Sequence, residues 1–231
     1  MFLEVTPITF DVKIKEGISI SQLRFCNGDF DDSIITDEDF IESILNLSHH
    51  SKNQATLSVD ISNYDFNSTL SAAAYCAKSE KNKTPIELWG EKKYDIGDFW
   101  DTVKSHEKQN VKSLTIENNS FYILRSAERI SLPSGVCIYC RAMDETLGEM
   151  RIHYAGFVHP LFGLNRPDNV IGTPLIFEVR GHNVNVLLTQ GEILARLFFY
   201  RMSCVAQTIK KDDPGENKSI DTISNAAYGD Q

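Results

Sequence analysis

Two glutamates lie inside apolar strands, a setting that suits proton transfer. The segment Phe2-Leu3-Glu4-Val5 recurs as Ile176-Phe177-Glu178-Val179, and the two copies stay in step through Phe25 and Phe199. Val12/Val186, Gly17/Gly191 and Leu23/Leu197 are shared along the way. A carboxylate among Leu, Phe and Val loses hydration, which raises its pKa unless a cation pairs with it. A carboxyl group tuned that way takes up and releases protons closer to neutral pH, so Glu4 and Glu178 are the first candidates for general acid-base chemistry. The structural alternative for Glu178 is a buried pair with Arg180 or Arg196.

Other reactive residues fit known chemistries less well. Cys137-Ile138-Tyr139-Cys140 is a C-x-x-C, but the chain has no H-x-E and places Val136 before the first cysteine. The pattern of a zinc-dependent nucleobase deaminase is therefore incomplete, and two packed core thiols are expected instead of a metal site. His153, His159 and His182 lie in well-patterned sequence, yet no nucleophile elbow accompanies them. No glycine-rich phosphate loop is present either. The five cysteines are odd in number and scattered, which argues against a secreted disulfide framework.

A net charge of -9 disfavours a sequence-independent grip on DNA or RNA. No apolar run is long enough to span a membrane as a helix, and no signal peptide opens the chain, so the cytoplasm is the default expectation. The cations are unevenly placed. Every lysine lies at or before Lys112 or at or after Lys210, whereas Arg125, Arg129, Arg141, Arg151, Arg166, Arg180, Arg196 and Arg201 fall between them. Arginine suits partly buried, bidentate contacts with phosphate or carboxylate.

The elements that must position these groups are mostly strands. Thr36 and Asp39 resemble a capping box, predicting a helix over 37–47 with Phe40, Ile44 and Leu47 on one face. A polar linker follows at 48–54. Strands are predicted at 56–61, 71–78 and 86–89, then a helical turn near Asp98-Phe99-Trp100 and a lysine-rich loop through Val111. Further strands are predicted at 113–117, 121–125, 128–132, 136–142, 150–154, 175–180, 184–189 and 194–201. The turns at Glu16-Gly17 and Gln190-Gly191 are equivalent in the repeat. The first copy predicts strands around Glu4 and Val12.

The stretch RIHYAGFVHPLFG, Arg151 to Gly163, followed by LIFEVRGHNVNVLLTQGEILARLFFYRM, resembles the core of the deoxycytidine triphosphate deaminases within the trimeric dUTPase superfamily. The collinear series SQLRFCNGD, LSVDIS, DFW, FYILRSAERISLP and LGEMRIHYAGF is similar to the double-domain bacterial form over residues 2 to about 204. That resemblance implies an all-β, dUTPase-like distorted barrel (jelly-roll-like, a β-clip) with a partial N-terminal copy and a short helix. It divides the chain into the end of a first domain at 1–30, a helix and linker at 31–55, a complete domain at 56–206 and a flexible polar tail at 207–231.

The reaction so implied is hydrolytic deamination of dCTP to dUTP and ammonia by a Glu general acid/base without zinc, Mg²⁺ arriving with the triphosphate. A trimer-like homo-oligomer with sites between copies is implied too, with no nucleic-acid or membrane partner. Residue by residue, Glu178 falls on the family's catalytic Glu, and Glu4 on its counterpart in the first copy. Ala155 falls on the backbone position that holds water and base, Arg141 on the Arg opening an Arg-Ser-Ser phosphate motif, and His159 on the Asp that reads the sugar. Phe177 joins the implied substrate-binding set. The departures are Ala142 and Met143 for the two serines, Thr146 for the closing Arg, and His159-Pro160-Leu161 for Asp-Pro-Gly. The altered phosphate motif favours one alternative, a weakened or inactive nucleotide-binding or interaction module of the same fold; a second, a dUTP pyrophosphatase, needs an Asp-oriented water, and His159 in place of that Asp counts against it.

Overall fold

The computed structural model describes residues 4–20, 29, 31–45, 55–65, 71–78, 84–90, 92–143, 150–153, 156–164 and 172–203. Among them the chain forms β1 (Val12–Lys13), a 3-10 turn (Asp31–Ser33), α1 (Glu38–Leu45), β2 (Thr56–Asp60), β3 (Tyr64–Asp65), β4 (Ser71–Ala72), β5 (Ala74–Ala77) and β6 (Ile86–Glu87). It continues with α2 (Ile96–Phe99), β7 (Trp100–Val103), β8 (His106–Lys108), β9 (Val111–Ile116), β10 (Phe121–Ile130), β11 (Val136–Ala142) and β12 (Met150–His153). The remaining strands are β13 (Phe157–Val158), β14 (Thr173–Gly181), β15 (Val186–Thr189) and β16 (Ile193–Arg201).

The main sheet runs β12-β14-β10-β2-β16-β11-β13, with β5 pairing both β10 and β7. A smaller sheet, β15-β9-β8, closes over the core. Alternation decides which face each residue takes. On β14, Phe177 and Val179 are buried while Ile176 and Glu178 are exposed. Leu114, Ile116 and Leu188 of the small sheet meet Leu57, Val59, Leu124, Ile138 and Phe199 of the large one in a single cluster. Each such side chain contributes about 1.5–3 kcal/mol by leaving water.

The strands predicted at 121–125 and 128–132 are one bent strand, β10. The register to β14 shifts between Arg125 and Arg129, a bulge that sequence alternation registers as a break. There Ser126 is turned inward, donating to the Glu128 carbonyl oxygen and accepting from the Leu175 N–H at 2.8 Å. The lysine-rich loop expected through Val111 is also partly strand, because β8 pairs β9 through a turn with Gln109 and Asn110 at positive φ. The helix is capped by Asp37, whose Oδ1 accepts from the Phe40 N–H at 3.0 Å, in place of the expected Thr36 box. Its buried face is Ile41, Ile44 and Leu45. Leu47 and the linker through Gln54 lie outside the described residues, as does the tail beyond Ser203.

The repeat is matched at its turns but not in its strands. Gly17 and Gly191 both adopt positive φ, +84° and +79°, which only glycine takes at little cost. The first copy forms only β1 among its described residues, and Glu4 sits exposed in irregular chain. Among the described residues the strand expected around Glu4 is not formed. Val12 and Lys13 instead pair in parallel with Ile86 and Glu87. Phe10 packs edge-on against Phe99 and Trp100 at 5.4 and 5.2 Å.

Candidate active site

Glu178 sits in the middle of β14, between Ile123 of β10 and the register position of His153 on β12. It shares the outer face of the sheet with Ile123, Tyr75 and Thr102, partners along one cross-strand row. Among the described side chains two arginines occupy that face nearby, and both are engaged elsewhere. Arg125 pairs with Asp60 and lies over the Tyr64 ring. Arg180 donates at 3.1 Å to the Asn119 carbonyl and at 3.1 Å to the Thr9 hydroxyl, beside the Phe121 ring. The structural alternative, a pair of Glu178 with Arg180 or Arg196, is not formed among the described residues, since Arg180 is engaged as above and Arg196 lies on β16 opposite Arg141. Partial burial pushes the pKa of the Glu178 carboxyl up, although the side chain reaches solvent.

Asp60 is a control within the same sheet, because it too is a carboxylate in an apolar strand. Burial alone would raise it, but the Ser62 amide and the Arg125 guanidinium outweigh that and hold it below its ordinary value. Gln190 adds a third donor at 3.1 Å and accepts from the Ile61 N–H at 2.8 Å. Two strand carboxylates thus have pKa values pushed in opposite directions: Asp60 is held down by its network, and Glu178 is raised by partial burial. The repeat singled out Glu178 in the sequence. Asp60 carried the same signal, but the cation that satisfies it lies 65 residues away.

The other expected site residues are scattered. Phe177 faces the core at 2% exposure, on the opposite side of β14 from Glu178. Ala155 lies outside the described residues. His159 is half-buried, its ring edge-on to Phe157 at 5.0 Å, and its carbonyl accepts from the Phe162 N–H at 3.2 Å, closing the turn that the sequence predicts. Leu161, standing where the family motif has glycine, is held at a φ of +70°. Arg141 is exposed at the end of β11, over the Phe198 ring at 4.8 Å. From β14 to β11 the sheet runs through β10, β2 and β16, four inter-strand steps or roughly 19 Å of arc. Glu178 and Arg141 of one chain are therefore on separate strands far apart in the sheet.

Cys137 and Cys140 alternate on β11. Cys140 belongs to the core and its thiol is pushed up to about 12 by burial, while Cys137 is turned to the other face. Two thiols three apart on a strand do not converge on one ion. A depression of about 350 Å³ bounded by Ile35, Phe40, Pro133, Val136 and Arg201 opens on β11 and β16, away from β14. Sequence reasoning missed the Arg141-Arg196 register and the ring cluster of Tyr139, Phe157 and Tyr200, because both arise from pairing between distant strands.

The two curled sheets around one core define an all-β, dUTPase-like fold. The sequence pattern of the C-terminal domain of 2'-deoxycytidine 5'-triphosphate deaminase (DCD) matches residues 33–221, and the chain belongs to that family. Among solved structures, it is similar to the 2'-deoxycytidine 5'-triphosphate deaminase from Agrobacterium tumefaciens, with a TM-score of 0.62 and 24% identity. The similarity covers 75% of this chain and 49% of that one, so the chain spans about half that protein's length. No curated protein matches the sequence. Among the described residues, no helix is long and apolar enough to cross a membrane.

Proposed function

We propose that the chain takes part in hydrolytic deamination of dCTP to dUTP and ammonia, with Glu178 as the proton-transfer group. The observation that carries this reading is the partly desolvated carboxylate of Glu178, which among the described residues has no ion pair, on an outer strand face where Arg125 and Arg180 are engaged elsewhere. The carboxylate takes a proton from water as the oxygen adds to C4 of the cytosine and passes it to N3. Glu178 then takes the proton of the new C4 hydroxyl and delivers it to the amino nitrogen, which leaves as ammonia while the C4 carbonyl forms. A raised pKa helps both halves of this exchange, worth about 100- to 10,000-fold.

The chemistry needs no zinc in this reading, since the carboxylate performs the proton transfers and the C-x-x-C thiols face apart. Mg²⁺ would come with the triphosphate, screening its charge. The distance along the sheet between Glu178 and Arg141 supports a site shared between copies of a homo-oligomer, trimer-like by family resemblance. Glu178 of one copy would then serve the base while Arg141 of another holds phosphate. The N-terminal segment is read as the end of a companion domain, and Glu4, exposed and outside a strand, has no catalytic part in this reading. A dUTP pyrophosphatase would release pyrophosphate, and an inactive binding module would release nothing. Incubation with dCTP and with dUTP, following ammonia and pyrophosphate together, separates the three. Ammonia from dCTP supports the proposal, and pyrophosphate from dUTP without ammonia from dCTP overturns it.

A further inference from the structure

We propose that Arg196 joins Arg141 in gripping the phosphate chain of the nucleotide. This inference rests on the deamination reading above and adds to it a residue that the Arg-Ser-Ser motif does not supply. The β11-β16 register places Arg141 directly opposite Arg196, and both side chains are exposed. Like charges directly opposite on adjacent strands repel. A chain with 32 acidic residues against 23 lysines and arginines has many ways to neutralise such a pair. Among the described residues neither arginine has an ion pair.

Arg141 leans over the Phe198 ring, on the same strand face two residues from Arg196. On β2, which pairs Thr56 with Arg196, Ser58 holds the Glu128 carboxylate through its N–H and hydroxyl, both at 2.7 Å. The result is two planar forks of donors on one open face, with Tyr139 and Phe198 paired alongside. A chain of phosphates fits that arrangement. Its oxygens accept from both guanidinium groups, and its negative charge removes their repulsion. The substitutions in the motif point the same way. Ala142 and Met143 cannot donate from their side chains as serines would, and Arg196 restores donors from across the ladder.

The test is calorimetric titration of the full chain with sodium tripolyphosphate and with dCTP, for the wild type, Arg196→Gln, Arg196→Lys and Arg141→Gln. The wild type is expected to bind both ligands. Each Gln variant should weaken binding by about ten-fold or more, as expected for loss of a charge-assisted contact, and Arg196→Lys should fall between. Without ligand, Arg196→Gln should melt no lower than wild type, because the opposed charges are gone. Tripolyphosphate binding by Arg196→Gln that equals wild type, or no binding by the wild type, overturns the inference. The two readings fail separately. If Arg196→Gln weakens tripolyphosphate binding but the wild type never deaminates dCTP, the arginine site stands and the deamination reading falls. If Arg196→Gln deaminates dCTP with an unchanged KM, the reverse holds.

Discussion

Replacing Glu178 with Gln keeps the side-chain volume and removes the base. Among the described residues Glu178 has no ion pair, and partial burial raises its carboxyl pKa. The substitution should therefore act in opposite directions on activity and stability. Loss of the proton-transfer group should slow dCTP deamination by about 100- to 10,000-fold, equivalent to about 2.7–5.5 kcal/mol of transition-state stabilisation. Stability follows from proton linkage. A carboxyl whose folded pKa lies above its unfolded value binds protons more readily in the native state, so the chain loses stability as pH rises through that window. At neutral pH the wild type carries the cost of a desolvated charge, and Glu178→Gln does not. The variant should melt at or above the wild-type temperature at pH 7.5, and its advantage should vanish on acidification below the unfolded carboxylate range. Ammonia release from dCTP, measured beside melting curves from pH 4 to 8, reads both effects. Unchanged turnover, or a marked drop in melting temperature at neutral pH, would refute the reasoning: the first removes the catalytic role, and the second shows a hidden stabilising partner.

Asp60→Asn should behave in the contrary way, destabilising by about 2–3 kcal/mol, the low side for a buried pair because both partners keep some solvent contact. Since its folded pKa is lowered, the wild-type advantage over Asp60→Asn should be full above the unfolded carboxylate pKa and vanish as pH falls through the folded one; denaturant titrations at several pH values test this. At Leu161, where φ is +70°, the Gly variant should be about 1 kcal/mol more stable than the Ala variant, since both lose the side chain and only glycine relaxes the backbone. Equal stabilities would show that the turn shifts instead. Gly163→Ala should cost more than about 1 kcal/mol, because its φ is +73° and a Cβ there collides with the Ile130 carbonyl oxygen; a wild-type melting curve would contradict that geometry.

Much of the strand content was legible because alternation is local. The β11 bounds match those expected, and β14 and β16 differ by one or two residues. What the sequence hid was relational. The β10 bulge merges two predicted strands, since the interruption at Ser126 to Glu128 is satisfied by Ser58 and Leu175 far away in the chain. The same holds for the site. Glu178 stood out as a charge in an apolar strand, but whether a cation answers it depends on where Arg125 and Arg180 turn, and each turns to a partner in another segment. The sequence also suggested too much order around Glu4. Similarity to the β14 strand was real in residue type, yet among its described residues the first copy forms only β1. Leu161 shows the opposite limit: the turn at His159-Pro160 was readable, while the left-handed backbone one residue on became visible only in three dimensions.

The most direct test of the central claim is deamination of dCTP in water enriched in oxygen-18, with the nucleotide products analysed by mass spectrometry. If water adds at C4 with Glu178 handling its proton, dUTP appears with a single heavy oxygen on the base, none in the phosphates, and ammonia in equal amount. Glu178→Gln should yield the same labelled product at a rate lower by about 100-fold or more. Unlabelled dCTP recovered intact, or heavy oxygen found only in phosphate, would contradict the account.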